Sequence, residues 1–317
     1  MEKVQISEGM PQSILLFFID GIGLGMNTEE NPLVIANMPV LRKLLGGQPL
    51  VKEVAPYSSD AEQVYLVGLD ASLGVEGLPQ SATGQAALLT GQNIPRVLGR
   101  HWPGRPTKTV QNRLLQFSIF KTLRQQGRRG YFANYFDSGY FEGAKKRRFP
   151  HSATTWSVLA ARIDPCQGES AFVEGKAVLY DLTGKAGLER GLSAPPISAK
   201  EAGRRLGKIA QEHDFTLYEY FLTDHAGHQE DMKEKIAILE EIDQAIAGIL
   251  ETIDREKNLL IIVSDHGNLE DGNTKKHTMN LVPLFVVGPG GKTLTRRARD
   301  LTDLAPFLRW WGKNKNR

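Results

Sequence analysis

The amino-acid sequence predicts an α/β protein built on an open sheet. Short apolar runs rich in β-branched residues, such as Ile261-Ile262-Val263, are typical of buried strands. Amphipathic stretches between such runs are typical of helices, and the longest covers residues 230–253. Several apolar runs end abruptly in Asp, His or Gly, and open α/β sheets carry their functional groups at the carboxyl ends of their strands. The sequence therefore predicts a functional site along one edge of the sheet.

Length and composition limit the class of protein. A chain of 317 residues is long enough for a core that carries a smaller insertion, and we expect that arrangement. The net charge of +3 is too small to predict nucleic-acid binding. Cys166 is the only cysteine, so no intramolecular disulfide can form, and the apolar run at residues 15–19 is too short for a signal or membrane segment. We expect a cytoplasmic protein with no nucleic-acid or membrane partner, and the oligomeric state stays open.

The first predicted strand, residues 14–19, leads into a glycine-rich loop that begins with Asp20. Glycines 21, 23 and 25 do not have the GxGxxG spacing of a dinucleotide-binding loop. An Asp at a strand end beside glycines suits a metal ligand, and an Asx-turn is the alternative.

A helix at residues 37–45 and a strand at residues 64–69 come next, followed by a segment of small residues at 77–91. This segment leads into an apolar, helix-like stretch, so Ser81 is predicted beside a helix N-terminus. The free N–H groups and dipole of that terminus favour a phosphate. The alternative is that Ser81 only caps the helix.

Residues 96–197 differ in composition, being rich in Arg, Lys, Gly and aromatic residues. We expect an inserted cap or substrate-specificity region here, between core parts at residues 1–95 and 198–317. Its pattern predicts a helix at 114–126 and strands at 131–134 and 171–180, and the cationic run at 145–148 is typical of a solvated surface. Arg100, His101 and Arg105 are candidate anion contacts because they lie close in sequence to Ser81.

Ligand-type side chains recur after residue 198. A helix at 198–213 precedes a strand at 215–222, which is followed by Asp224 and His228, one helical turn apart and able to reach one metal. Strands at 259–263 and 282–287 and a helix at 302–311 complete the chain. Asp265 and His266 follow the first of these strands, and His277 comes shortly after.

These side chains together predict a catalytic metal centre. Six N/O ligands are too many for one structural zinc, and the absence of thiolates favours two catalytic divalent cations with open positions. The predicted ligands are Asp20, Asp224, His228, Asp265, His266 and His277, with Ser81 as the candidate nucleophile.

The motifs resemble those of the alkaline phosphatase superfamily. The block Ser264-Asp265-His266-Gly267-Asn268 with the later His277, and the Asp224/His228 spacing, are similar to cofactor-independent phosphoglycerate mutase and phosphopentomutase. The run from Ser81 to Gly91 resembles the nucleophile segment of the wider superfamily, including its sulfatases. The resemblance implies an alkaline phosphatase-like three-layer α/β/α core with a mixed, mostly parallel sheet and a small inserted cap.

The resemblance also implies roles for individual residues. One metal would be held by Asp20, Asp265 and His266 with the oxygen of Ser81, and the other by Asp224, His228 and His277. Mn²⁺ is the preferred ion by this likeness, with Zn²⁺ and Mg²⁺ as alternatives. Attack by Ser81 would give a phosphoserine intermediate, and Thr83 is the competing nucleophile. His225, between two ligand positions, is a candidate substrate contact or supporting group.

Departures from the named families leave the activity open. The chain is much shorter than phosphoglycerate mutase, and Gln85 stands where phosphopentomutase has His. We therefore expect a mutase or a phosphatase acting on a small phosphorylated metabolite. A sulfatase-like hydrolase is a weaker alternative because Thr83 and Gln85 replace the proline and arginine of the sulfatase signature. The remaining alternative is a protein that binds a metal or phosphate without catalysis.

Overall fold

The computed structural model describes residues 9–136, 140, 151–189 and 191–315, and seven of its strands form one central sheet. A separate pair, β5 and β6, forms a small parallel sheet. The strands within the described residues are β1 (Ser13–Ile19), β2 (Tyr57–Ser59), β3 (Val64–Leu69), β4 (Gly130–Phe132), β5 (Tyr135–Phe136), β6 (Cys166–Gln167), β7 (Phe215–Tyr220), β8 (Asn258–Val263) and β9 (Val282–Val287).

The central sheet is mixed, as predicted, in the order β2-β3-β9-β8-β1-β7-β4. Strands β4, β7, β1 and β8 run parallel, and β9, β3 and β2 are each antiparallel to the preceding neighbour. The three central strands also end in step, since Ile19 pairs with Tyr220 and Phe18 pairs with Val263. The residues that follow these strands therefore emerge together at one edge of the sheet.

Helices cover both faces of the sheet and produce the predicted three layers. The described helices are α1 (Pro32–Ile35), α2 (Pro39–Leu44), α3 (Ser81–Thr90), α4 (Ile94–Leu98), α5 (Lys108–Phe117), α6 (Ile119–Gln125), α7 (Ala153–Leu159), α8 (Glu169–Val173), α9 (Lys185–Leu188), α10 (Ala199–Glu212), α11 (Leu222–Gly227), α12 (Met232–Thr252), α13 (Gly291–Thr295) and α14 (Leu304–Asn314), with a 3₁₀ turn at Leu301–Asp303.

Alternation along the buried strands divides the core into two layers. In β1, Phe17 packs into the layer formed with α10 and α12, whereas Leu16 and Phe18 face α3, α5, α6 and α14. Every residue of β1 is buried, which explains why its sequence is a continuous apolar run rather than an alternating one.

Part of the region predicted as an insertion, residues 96–197, belongs to the core. Strand β4 pairs with β7 at the edge of the main sheet, and Val110, Leu114 and Phe120 are fully buried in the layer that contains α3. A small separate cluster of Phe172, Leu179 and their neighbours lies later in the region. The region therefore contributes in part to the core, and an inserted cap within it stays a prediction.

The structure also changes two secondary-structure predictions for this region. Ser118 divides the predicted helix at 114–126 into α5 and α6, because its hydroxyl accepts a hydrogen bond from the Phe120 N–H at 3.1 Å and caps α6. The strand predicted at 171–180 is wrong, since residues 169–173 form α8. The cationic run at 145–148 lies outside the described residues. No helix in the described part of the chain is both long and apolar enough to cross a bilayer.

The contact between α10 and α12 depends on glycine. A Cβ atom on Gly203 would lie 1.9 Å from the carbonyl oxygen of Ala245, and one on Gly248 would lie 1.9 Å from that of Lys200. The two helix backbones therefore approach more closely than any side chain would allow.

We expect Gly203→Ala to lower the free energy of unfolding by about 1–3 kcal/mol, because the backbone overlap outweighs the better helix propensity of Ala. Urea denaturation measures this change. Lys208→Ala, on the exposed face of the same helix, is the control and should change stability by less than about 0.5 kcal/mol. A Gly203→Ala protein as stable as the control would contradict the packing argument.

Candidate metal centre

The strand ends bring all six predicted ligands together. Asp20 follows β1, Asp265 and His266 follow β8, and α11 begins directly after β7. His277 reaches the same edge from the loop before β9. The six side chains form two groups, each with ligand atoms within 4.8 Å of one another: Asp20, Asp265 and His266 in the first cluster, and Asp224, His228 and His277 in the second.

The first cluster is buried and rich in negative charge. The Nε2 atom of His266 lies 3.1 Å from Asp20 Oδ1 and 3.7 Å from Asp265 Oδ2. Both carboxylate oxygens are buried without a hydrogen bond among the described residues. Buried anionic oxygens that converge on an imidazole nitrogen form a donor set that fits a divalent cation.

The second cluster is more open, and its imidazoles are oriented by backbone carbonyls. His228 Nδ1 lies 2.6 Å from the Lys275 carbonyl oxygen, and His277 Nδ1 lies 2.7 Å from that of Pro79. With Nδ1–H donating to these carbonyls, both Nε2 atoms present lone pairs, and they lie only 3.3 Å apart. Two facing lone pairs repel unless a cation lies between them, and Asp224 Oδ1 is within 3.5 Å of each nitrogen.

The two clusters are in direct contact. The rings of His266 and His277 stack with centroids 3.8 Å apart and planes inclined by 14°. Asp224 Oδ1 lies 4.0 Å from His266 Nε2. The two clusters therefore adjoin and form one centre of six ligand-type side chains.

Proton affinities reflect the crowded charges. Burial and the charge of Asp20 raise the pKa of Asp265 well above its ordinary value. Burial lowers the pKa of His266, but the carboxylates of Asp265 and Asp20 outweigh this and raise it to about 10. Burial also acts to raise the pKa of Asp224, yet the nearby imidazole of His277 and the charge of His266 hold it below its usual range.

Ser81 is placed at the first cluster and Thr83 is not. The Ser81 hydroxyl oxygen lies 2.9 Å from His266 Nε2, at the first residue of α3, and Gln80 rather than Ser81 is the helix N-cap. Thr83 is fully buried; its hydroxyl donates to the Gln80 carbonyl and accepts from the Trp102 N–H. Of the two hydroxyls, that of Ser81 faces the ligands.

A buried carboxylate that was not predicted, Glu270, ties the loops of the centre together. Its side chain accepts hydrogen bonds from the backbone N–H groups of Gly23 and Asn268, both at 2.8 Å. It also accepts from the Thr278 hydroxyl and from Asn280 Nδ2 at 3.0 Å. One side chain therefore ties the loop after β1 to the connection between β8 and β9, and it also links distant parts of that connection.

Close backbone approach holds Asp224 in place. Gly21 has φ +75°, and a Cβ there would lie 2.8 Å from Asp224 Cβ, so only glycine fits. Asn268 Nδ2 donates to Asp224 Oδ1 at 2.8 Å and fixes the carboxylate.

Four further residues are predicted to contact an anion or the substrate: Arg100, His101, Arg105 and His225. Arg100 lies over the Trp102 ring at 4.6 Å, and His101 is buried with Nε2 3.3 Å from the Val75 carbonyl oxygen. Arg105 is exposed, and its charge acts on the buried Glu219. His225 is exposed beside Phe221 and is in neither cluster. The described contacts join none of these four to the six ligands, so their roles stay predictions.

The sequence analysis also missed two supporting groups behind the first cluster. Gln85 donates to Asp20 Oδ2 at 3.1 Å, and Glu219 accepts a hydrogen bond from the Thr154 hydroxyl. Burial raises the pKa of Glu219 to about 7. Spacing was the one signal that could have pointed to Gln85, because this residue lies one helical turn after Ser81. Thr154 and Glu219 are brought together only by the tertiary fold.

The chain also resembles known proteins in sequence. The profile of the Metalloenzyme superfamily matches residues 12–308. The chain is 30% identical over 213 residues to a 2,3-bisphosphoglycerate-independent phosphoglycerate mutase of Cereibacter sphaeroides, covering 64% of this chain and 36% of that protein. It is 33% identical over 174 residues to the enzyme of the same name from Methylobacillus flagellatus, covering 52% and 32%. The chain thus matches about a third of the length of these curated relatives.

Solved structures share the fold across the whole chain. The PH0037 protein from Pyrococcus horikoshii superposes with a TM-score of 0.55 at 17% identity, covering 96% of this chain and 97% of that one. Alkaline phosphatase from the Antarctic bacterium TAB5 superposes with a TM-score of 0.52 at 12% identity, covering 97% and 99%. These likenesses confirm the predicted alkaline phosphatase-like core.

We expect Glu270→Gln to lower the free energy of unfolding of the metal-free protein by about 2–4 kcal/mol, because an amide cannot accept all four hydrogen bonds and leaves buried N–H groups unpaired. Urea denaturation measures the loss. Glu53→Gln, at an exposed position, is the matched control. Equal stability of the two variants would show that Glu270 does not hold the loops.

Divalent cations should stabilise the folded chain. At a free Mn²⁺ concentration 100 times the dissociation constant of one site, we expect a gain of about 2.7 kcal/mol, because the unfolded chain lacks the assembled ligands. Thermal unfolding with Mn²⁺ and with a chelator measures it. A midpoint that is the same in both solutions, and also with Zn²⁺, would argue against a metal centre.

Proposed function

Because the chain belongs to the metalloenzyme superfamily, we propose that it is a two-metal enzyme that transfers the phosphoryl group of a small phosphorylated metabolite. The observation that carries the proposal is the 2.9 Å distance between the Ser81 hydroxyl oxygen and His266 Nε2. It puts a serine hydroxyl at the edge of a buried cluster of ligand-type side chains. Phosphoryl transfer needs little more than such positioning and compensation of charge.

The roles of the residues follow from their placement. Asp20, Asp265 and His266 would hold one cation, and Asp224, His228 and His277 the other, with Mn²⁺ preferred and Zn²⁺ or Mg²⁺ as alternatives. When bound, the cations would lower the pKa of the Ser81 hydroxyl and neutralise phosphoryl oxygens. Helix α3 directs its N-terminal N–H groups and its dipole towards the same place, which also favours a phosphate.

Ser81 would attack phosphorus in line. The Oγ–P bond forms while the bond from phosphorus to the metabolite oxygen breaks; the serine proton passes to solvent, and the departing oxygen takes one up. The product is a phosphoserine. Water attack on it releases phosphate and regenerates Ser81, whereas attack by another hydroxyl of the retained metabolite gives an isomer.

A metal-free serine hydrolase is disfavoured by the geometry. In a Ser-His-Asp triad the serine and the carboxylate bond to opposite nitrogens of the imidazole. Here Ser81 Oγ and Asp20 Oδ1 both lie at His266 Nε2, at 2.9 and 3.1 Å, and His266 Nδ1 faces the Gly267 carbonyl at 3.3 Å. One N–H cannot serve both, whereas a cation can bind several ligands at once.

The finer activity is part of the proposal. The relatives named as phosphoglycerate mutases match this chain over about a third of their own length. We therefore propose phosphoryl transfer as the type of reaction. The substrate, and the choice between a mutase and a phosphatase, stay open. The phosphopentomutase likeness rests on the ligand motifs alone. We place the protein in the cytoplasm because it has a single cysteine, Cys166.

We expect Ser81→Ala to lower turnover at least about 1000-fold, because it removes the nucleophile. Phosphorus NMR of the Mn²⁺-loaded protein with pooled sugar phosphates and glycerate phosphates measures it. Release of inorganic phosphate identifies a phosphatase, and movement of phosphorus between positions identifies a mutase.

Thr83→Val is the matched control for this experiment. We expect it to retain activity within about tenfold, since it loses one buried hydroxyl and no reacting group. Loss of activity in Thr83→Val with retention in Ser81→Ala would reverse the assignment of the nucleophile. Tight metal binding with no turnover in any protein would favour the idle binding protein.

A further inference from the structure

Helix α3 presents one face to the first cluster. Ser81, Gly84 and Gln85 occupy positions i, i+3 and i+4, so they lie on the same side of the helix. A Cβ on Gly84 would lie 2.8 Å from the carbonyl oxygen of Asp265, which shows that the helix backbone is pressed against this ligand. The same face therefore carries the nucleophile, a close contact and an amide.

The amide of Gln85 binds one oxygen of Asp20 and leaves the other free. Its Nε2 atom donates to Asp20 Oδ2 at 3.1 Å, and the residue is 5% exposed, so the surrounding side chains hold it in place. Asp20 Oδ1 has no hydrogen bond in the described residues and points to His266 Nε2 at 3.1 Å. The two oxygens of one carboxylate are thus used differently.

We infer that Gln85 is a positioning residue that turns the Asp20 carboxylate so that Oδ1 faces the first cation. The inference rests on the proposed two-metal function. With Oδ2 engaged by Gln85, the carboxylate already has this orientation before a cation binds, and the affinity for the cation rises. A neutral amide suits this role because a Lys or Arg at the same place would repel the cation.

Calorimetric titration of the metal-free protein with Mn²⁺ tests the inference. We expect wild type to show two binding events, and Asp224→Asn to remove the one that belongs to the second cluster. Gln85→Met, which has similar shape and no donor, should weaken the first-cluster event by roughly 10- to 100-fold and leave the other unchanged. Gln85→Asn, which keeps the amide but is too short to reach, should do the same if Gln85→Met does not fold.

Gln111→Met is the matched control, since Gln111 donates a comparable hydrogen bond to the Pro106 carbonyl at 2.9 Å on α5. It should leave both binding events unchanged. Unchanged first-cluster affinity in the Gln85 variants would overturn the inference. The inference would also be overturned if both binding events weakened equally and the Gln85 variants had a lower urea midpoint than Gln111→Met, because this would indicate general loosening of the fold. A wild-type protein that binds neither Mn²⁺ nor Zn²⁺ would instead overturn the proposed function.

Discussion

Convergence of negative charge at the ends of three parallel strands is the constraint on which this structure depends. Asp20, Asp224 and Asp265 all lie within 4.0 Å of the Nε2 atom of His266. Two unit charges about 4 Å apart interact by about 4 kcal/mol at an effective dielectric constant of 20, and a whole domain is stable by only about 5–15 kcal/mol. The fold must therefore compensate this charge, and a proton or bound cations can do so.

The surrounding residues are arranged to keep the ligands in place without neutralising them. The second-cluster imidazoles and two of the carboxylates are held by uncharged donors or acceptors: the Pro79 and Lys275 carbonyls, Gln85 and Asn268. Glu270, the one charged support in this group, accepts hydrogen bonds from the loops rather than from the ligands. The ligands therefore keep their negative charge for cations. Hydrogen bonds with the backbone hold the ligand loops together against the repulsion between these charges.

The placement of Ser81 connects this electrostatic arrangement with the proposed chemistry. Its hydroxyl lies at the buried first cluster, while His228 leaves the second cluster partly open to solvent. In the proposed reaction, a phosphorylated substrate would approach from the open side and meet Ser81 at the closed side.

The sequence by itself predicted the core strands β1, β3, β7, β8 and β9, and it singled out the six side chains that form the two clusters. Buried parallel strands are continuous apolar runs, and Asp265-His266 and Asp224/His228 lie at fixed short distances along the chain, so local pattern was enough. Only the tertiary structure decided that Glu270 binds the Gly23 backbone, that Gln85 binds Asp20, and that Gly130–Phe132 extends the main sheet. Each of these depends on pairing between segments 65 or more residues apart, and a propensity or spacing within one segment carries no information about its distant partner.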